Sequence, residues 1–296
     1  AEAPPATPAP RTDFPPPSYA ALHERTAKEG DGTWTPYPEG TPAGQTSLYR
    51  SIVHPHPFKG YVFTIVVAGD LTQLELGMVA GQDEPKNDDI PKDQRPAVVP
   101  KEHQADLVAI FNGGFMARHG KHGMMLDGVQ FVPPREERCT VAFFRDGRLR
   151  IRTWEALAAD VDSLRAYRQS SPCLIEQGEL HPELPAEHRN RKWGGAEDGK
   201  RDVRRSAVCL DQTGKTLMYG YGDYILAAEF AKGLKAAGGH DCAQLDINWR
   251  YTRFFPVDHS TSPPTLGKTF VEKLEYNKTS YITKPYWKDF FYLKKR

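Results

Sequence analysis

Short apolar runs bounded by turn residues recur along this chain, and that rhythm constrains the fold more than any other property of the sequence. Runs at 48–53, 61–68 and 74–79 have the length and the β-branched or aromatic character of strands. Further runs follow at 107–111, 140–145, 149–153, 206–210, 215–221 and 242–247. Arg145-Asp146-Gly147-Arg148 and Asp211-Gln212-Thr213-Gly214 each separate two such runs and predict hairpin turns. One segment breaks the pattern. Residues 224–237 place Ile225, Ala228, Phe230, Ala231 and Leu234 on one helical face, and Gly238-Gly239 supplies a stop. Helical spacing also marks 19–28 and 154–168, with a single turn at 102–106, while 33–46, 82–100 and 187–202 read as loops. Hairpins mixed with a few helices predict an α+β fold: a mixed or largely antiparallel β-sheet core with flanking helices, in one domain over 47–296.

What precedes that domain differs in character. Residues 1–18 carry proline at seven positions and predict an extended spacer, followed by a short helix and loop over 19–46. The chain begins with Ala rather than Met, as a mature end does after a signal peptide is removed, so export is expected. A formal net charge of +1 gives no global field toward nucleic acid or anionic lipid, and no apolar run reaches the roughly 18–20 residues of a membrane span. The four cysteines, spaced by 34, 36 and 33, form no Cys-x-x-Cys metal or redox motif. Each lies in an apolar stretch. A Cys209–Cys242 disulfide is the first pairing to expect in an exported chain, with structural free thiols the equal alternative.

Polar residues at the mouths of buried strands are where α/β-type folds build small-molecule sites. Two such places stand out. Asn112-Gly113-Gly114-Phe115 follows the apolar run 107–111, and Arg205-Ser206-Ala207-Val208 opens a segment that ends in Leu245-Asp246-Ile247-Asn248. Two further stretches, Gly123-Met124-Met125-Leu126-Asp127-Gly128 and Pro172-Cys173-Leu174-Ile175-Glu176-Gln177-Gly178, complete a pattern of five with Asn112-Gly113-Gly114-Phe115, the Arg205-Ser206-Ala207 triplet ahead of the helix, and Leu245-Asp246-Ile247-Asn248. In chain order they resemble the phosphodiester glycosidase family. One stretch departs: where that family most often has Asp-Gly-Gly-Gly-Ser, this chain keeps Asp246 but continues Ile247-Asn248-Trp249-Arg250.

The resemblance implies an exported hydrolase that releases a sugar joined through its anomeric oxygen to phosphate, with a glycan or sugar-phosphate ligand. Cleaving such a bond passes through an oxocarbenium-like transition state that a carboxylate stabilises, so Asp246 is expected as the principal catalytic group with Glu176 assisting. Arg205 is the expected phosphate ligand, because a guanidinium fork grips phosphate oxygens in pairs. Arg204 beside it faces the other way if this is strand. Asn112, Gly113, Gly114 and Phe115 are expected to line the pocket, with His122, Asp127, Asn248 and Arg250 as further contacts. The run 248–255 interleaves aromatics with arginines, a combination suited to sugar faces and anionic groups. The sequence holds no metal-ligand pattern and requires no cofactor, though it leaves a divalent cation open. The alternative function is a non-catalytic glycan-binding or cell-surface module on the same fold.

Overall fold

The computed structural model describes residues 11–296, so the first ten residues of the expected spacer lie outside the described residues. Three sheets carry the fold, and every strand ladder within them is antiparallel. The largest has eight strands in the order Thr35–Pro36, Leu48–Val53, Phe63–Asp70, Thr216–Ile225, Val203–Leu210, Asp241–Ile247, Ile175–Glu176 and Glu179–Leu180. A five-stranded sheet runs Val129–Val132, Met124–Leu126, Leu164–Gln169, Cys139–Phe144, Leu149–Thr153. A second five-stranded sheet runs Thr265–Leu266, Phe254–Asp258, Leu107–Asn112, Phe290–Lys295, Leu74–Val79. This is the expected α+β architecture.

The sheets bury one another. Phe111, Phe254 and Phe291 stack in series, Phe143 joins from the sheet of Cys139–Phe144, and Val208, Tyr219 and Leu245 close the cluster from the eight-stranded one. Burial of a large aromatic stabilises by roughly 1.5–3 kcal/mol, so this seam of rings is the main tie between sheets. On the outer face of the large sheet the helix Ala227–Ala236 lays Phe230, Ala231 and Leu234 against Val66, Trp34 and Trp193. The Glu187 carboxylate accepts from the Ala227 and Ala228 amides at 2.8 and 2.9 Å and caps that helix.

Four local expectations need correction. Residues 19–28 form turns rather than a helix, because Tyr19 pairs its amide with the Gly32 carbonyl and sets its ring edge-on to Trp34. Part of the 33–46 loop is a strand, Thr35–Pro36, with Trp34 and Tyr37 buried beside it. The helical pattern at 154–168 resolves into a 3-10 stretch, Trp154–Ser163, followed by the strand Leu164–Gln169 between two partners, where cross-strand hydrogen bonds outweigh a marginal helix. The expected helix start at Tyr224 is the end of a strand, Thr216–Ile225. Both cysteine pairs, Cys139–Cys173 and Cys209–Cys242, are disulfides.

Candidate functional site

The two glycine-containing and aspartate-containing strand mouths meet. Leu107–Asn112 ends beside the starts of its two neighbours, Phe254–Asp258 and Phe290–Lys295, with Asn112 opposite Phe290 and Phe111 opposite Phe254. The last turn of chain after Asn112 then reaches the large sheet, where the Asp246 amide donates to the Gly113 carbonyl at 3.1 Å. One bend therefore links two sheets and brings residues from four strand ends together.

Glycine is required at that bend by proximity. A Cβ on Gly113 would lie 2.0 Å from Asp289 Oδ2, and one on Gly114 would lie 2.7 Å from Arg168 Cζ. The bend packs directly on a buried ion pair: Arg168 Nε donates to Asp289 Oδ2 at 2.8 Å, and both side chains are almost wholly inaccessible. Arg168 also donates to the carbonyls of Phe115 and His122 at 2.7 and 3.3 Å, and the Gly114 amide donates to Asp289 Oδ2 at 2.9 Å. The pair holds the path of residues 113–122 from inside.

Asp246 sits at the mouth of this arrangement. Its Oδ1 accepts from the Ile247 amide at 2.9 Å, its Oδ2 meets the Lys288 ammonium, and it is 2 % exposed. Burial pushes the Asp246 carboxyl above the ordinary carboxylate range, and Lys288 opposes that rise. The Lys288 ammonium lies 4.9 Å from the Tyr251 ring centroid and 5.5 Å from that of Trp287. Both rings form part of the wall of a cavity of about 780 Å3, to which Glu84, Arg118 and Lys121 also contribute. Glu84 accepts from the Ala117 amide at 2.7 Å. His119 is lowered below the usual imidazole range by burial and by Arg118, and it feels the charges of Asp246, Lys288 and Glu84 together.

The remaining expected residues divide sharply. Asn112, Gly113, Gly114, Phe115, His122 and Asn248 gather around the bend, but Asn112 offers nothing to a ligand. Its amide donates to Gly113 O and Ser206 Oγ, and its oxygen accepts from Tyr219 OH and the Arg253 amide, all at 2.9–3.0 Å. Phe115 packs on Val203 and Ile247. His122 is buried, its ring tilted on Phe115 at 5.5 Å, and burial followed by the Arg168 charge depresses it to about 3, so it is neutral at ordinary pH. Asn248 adopts φ 73° and opens the turn that carries Tyr251. Arg250 is exposed and stacks over Trp249 at 4.8 Å.

Three expectations fail on geometry. Arg205 is 0 % exposed, four of its five N–H donors serve Ile225 O, Trp193 O, Arg201 O and Gln244 Oε1 at 2.7–3.0 Å, and the Glu187 carboxylate lies 3.8 Å from its Nη2, so the guanidinium is closed off from a phosphate. Glu176 accepts from the Thr153 amide and hydroxyl at 2.8 and 2.7 Å. Its strand neighbour Ile175 pairs with Cys242, four positions before Asp246 and hence ~13 Å away along the strand. Asp127 is the tip of a hairpin turn at φ 49°, with its side chain 71 % exposed. Lys288, Asp289, Arg168 and Glu84 were not anticipated. A usable signal existed for the first two: Trp287-Lys288-Asp289 precedes the apolar run Phe290-Phe291-Tyr292-Leu293, the same polar-mouth pattern that marks Asn112 and Asp246. Among the described residues, no group of three or more His, Cys, Asp or Glu side chains is placed to share a metal ion.

No family model and no curated protein matches this sequence. Solved structures do share its shape. The catalytic domain of zebrafish N-acetylglucosamine-1-phosphodiester alpha-N-acetylglucosaminidase, solved in a form auto-inhibited by its pro-peptide, is similar over 86 % of this chain and 85 % of that one, at 12 % identity and a TM-score of 0.53. A hypothetical protein from Synechocystis aligns over 84 % of this chain and 62 % of its own, at 12 % identity and a TM-score of 0.47. A Burkholderia pseudomallei protein described as exported aligns over 81 % and 75 %, at 9 % identity and a TM-score of 0.44. The first relation is one of fold alone: this chain shares the overall fold of that domain.

Proposed function

We propose that the protein is a divergent phosphodiester glycosidase, hydrolysing a sugar-1-phosphodiester or related glycosyl linkage in a surface or extracellular glycan. The observation that carries the reading is the Asp246–Lys288 pair, held at the double-glycine bend beneath an aromatic-walled cavity. Asp246 supplies the carboxylate that stabilises an oxocarbenium-like centre, and Lys288 opposes the rise that burial imposes on it. Phosphate leaves as a weak base and needs little protonation. Arg118 and Lys121 on the cavity wall replace Arg205 as the cations for a leaving phosphate, and Glu84 on the same wall is the carboxylate for water. The disulfides fit a chain that folds in an oxidising compartment. Among the described residues no helix is long and apolar enough to cross a membrane.

The test is release of free sugar from a methyl phosphodiester of α-N-acetylglucosamine 1-phosphate. The parent protein turns it over, and Asp246→Asn, near-isosteric, loses at least ~100-fold in kcat with an unchanged far-UV spectrum. Full activity in that variant removes Asp246 from the mechanism. A second reading, a glycan-binding module without turnover, draws on the 2 % exposure of Asp246, which leaves its oxygens to Lys288 and Ile247. Ligand binding by the parent with no sugar released after long incubation selects it.

A further inference from the structure

Four aromatic side chains are exposed among the described residues: Phe58 at 69 %, Tyr61 at 61 %, Tyr224 at 65 % and Trp249 at 56 %. All four stand at one end of the eight-stranded sheet, the end that carries Asp246. Ile247, Arg205, Gly222 and Thr64 form one row across four adjacent strands. Trp249 follows the first of these strands, Tyr224 lies two residues beyond Gly222, and Tyr61 and Phe58 lie in the chain entering the strand of Thr64. Neighbouring strands are ~4.8 Å apart, so the segments that carry Trp249 and Tyr224 leave the sheet two strands apart, and that of Tyr61 leaves it one strand beyond. Tyr251, on the cavity wall, is two residues from Trp249. Scattered exposed rings are ordinary, but rings gathered beside a cavity mark a contact surface.

Cations accompany the rings. The Arg250 guanidinium lies 4.8 Å from the Trp249 centroid and that of Arg25 lies 5.2 Å from Phe58. The charges of Arg204 and Lys200 both reach the Tyr224 phenol. We infer that this end of the sheet is a binding platform for an anionic polysaccharide, with sugar faces on Trp249, Tyr224 and Tyr61 and acidic groups on Arg250, Lys200 and Arg25. The inference rests on the glycan reading of the cavity and extends it from one linkage to a polymer.

Affinity electrophoresis of the full chain through gels containing phosphomannan, alginate or neutral dextran tests it. Phosphomannan or alginate retards the parent, dextran does not, and the triple variant Tyr61→Ala, Tyr224→Ala, Trp249→Ala loses at least tenfold in affinity with an unchanged melting temperature. A double variant at the opposite end of the molecule, Arg145→Ala, Lys215→Ala, controls for bulk charge and leaves retardation unaltered. The proposal is overturned if neither anionic polymer retards the parent, if the triple variant migrates like the parent, or if dextran retards it equally. Retardation is read without turnover, so an inactive protein that still binds sinks the hydrolase and not the platform.

Discussion

At the scale of the residue, the decisive side chain is Lys288. Asp246 lies where charge is costly: burial pushes its carboxyl above the ordinary range, and the Lys288 ammonium, with the Ile247 amide, opposes that rise. Removing one partner of a buried pair leaves the other uncompensated, at a cost of ~3–5 kcal/mol. Lys288→Met is therefore expected to lower unfolding stability by that order in urea titration. It also abolishes activity at neutral pH, since the orphaned carboxyl protonates more readily. Adding Asp246→Asn to Lys288→Met restores much of the stability and none of the activity. A loss in the double variant equal to the sum of the two single-variant losses would show that the two groups are not coupled. Arg205 shows the contrary lesson: a residue with the right chemistry for phosphate is committed to three backbone carbonyls and the Gln244 side chain.

At the scale of the element, the bend after Leu107–Asn112 works because it has no side chains. Gly113 and Gly114 pass against Asp289 and Arg168 so closely that a methyl group displaces the ion pair. Gly113→Ala is expected to cost at least the ~1–3 kcal/mol typical of overpacking. Because the same bend receives the Asp246 amide, activity falls by more than the stability loss explains. Differential scanning calorimetry and initial rates on one preparation separate the two effects. A variant with the parent's melting temperature would mean that the Arg168–Asp289 pair moves freely, contrary to its burial.

At the scale of the whole molecule, acid sensitivity has an identifiable source in His122. Its folded value of about 3 lies below the ordinary 6.5, so between these values the unfolded chain binds a proton that the folded one does not. The stability it contributes is complete above pH 6.5 and is lost as pH falls toward 3. Asp246, raised above 3.8, works in the opposite sense, so the histidine must be isolated by difference. Urea midpoints measured from pH 7 to pH 4 should fall less steeply for His122→Gln than for the parent, and parallel slopes would remove His122 as the cause. The two ends of the large sheet also differ in kind: the exposed rings stand at the Asp246 end, whereas Arg145, Arg148 and Lys215 surround the turns at the other.

The sequence by itself determined the strand rhythm, the α+β class, the long helix and the two places where polar residues cap buried runs. Those features are local: periodicity and turn chemistry act over a few neighbouring residues, and nothing distant overrides them at 107–112 or 241–247. Local pattern failed at 19–28 and 154–168, where side chains far along the chain and neighbouring strands offered a better use for the same backbone. The site divides along the same line. Asp246 and the double glycine were legible, yet their meeting depends on one hydrogen bond between sheets, and their partners Lys288, Asp289 and Arg168 come from segments 42, 175 and 54 or more positions away. Which arginine is free and which is buried is likewise a matter of what folding packs around it. Tertiary structure alone decided that, because the cost of a buried charge depends on partners that no local stretch of sequence contains.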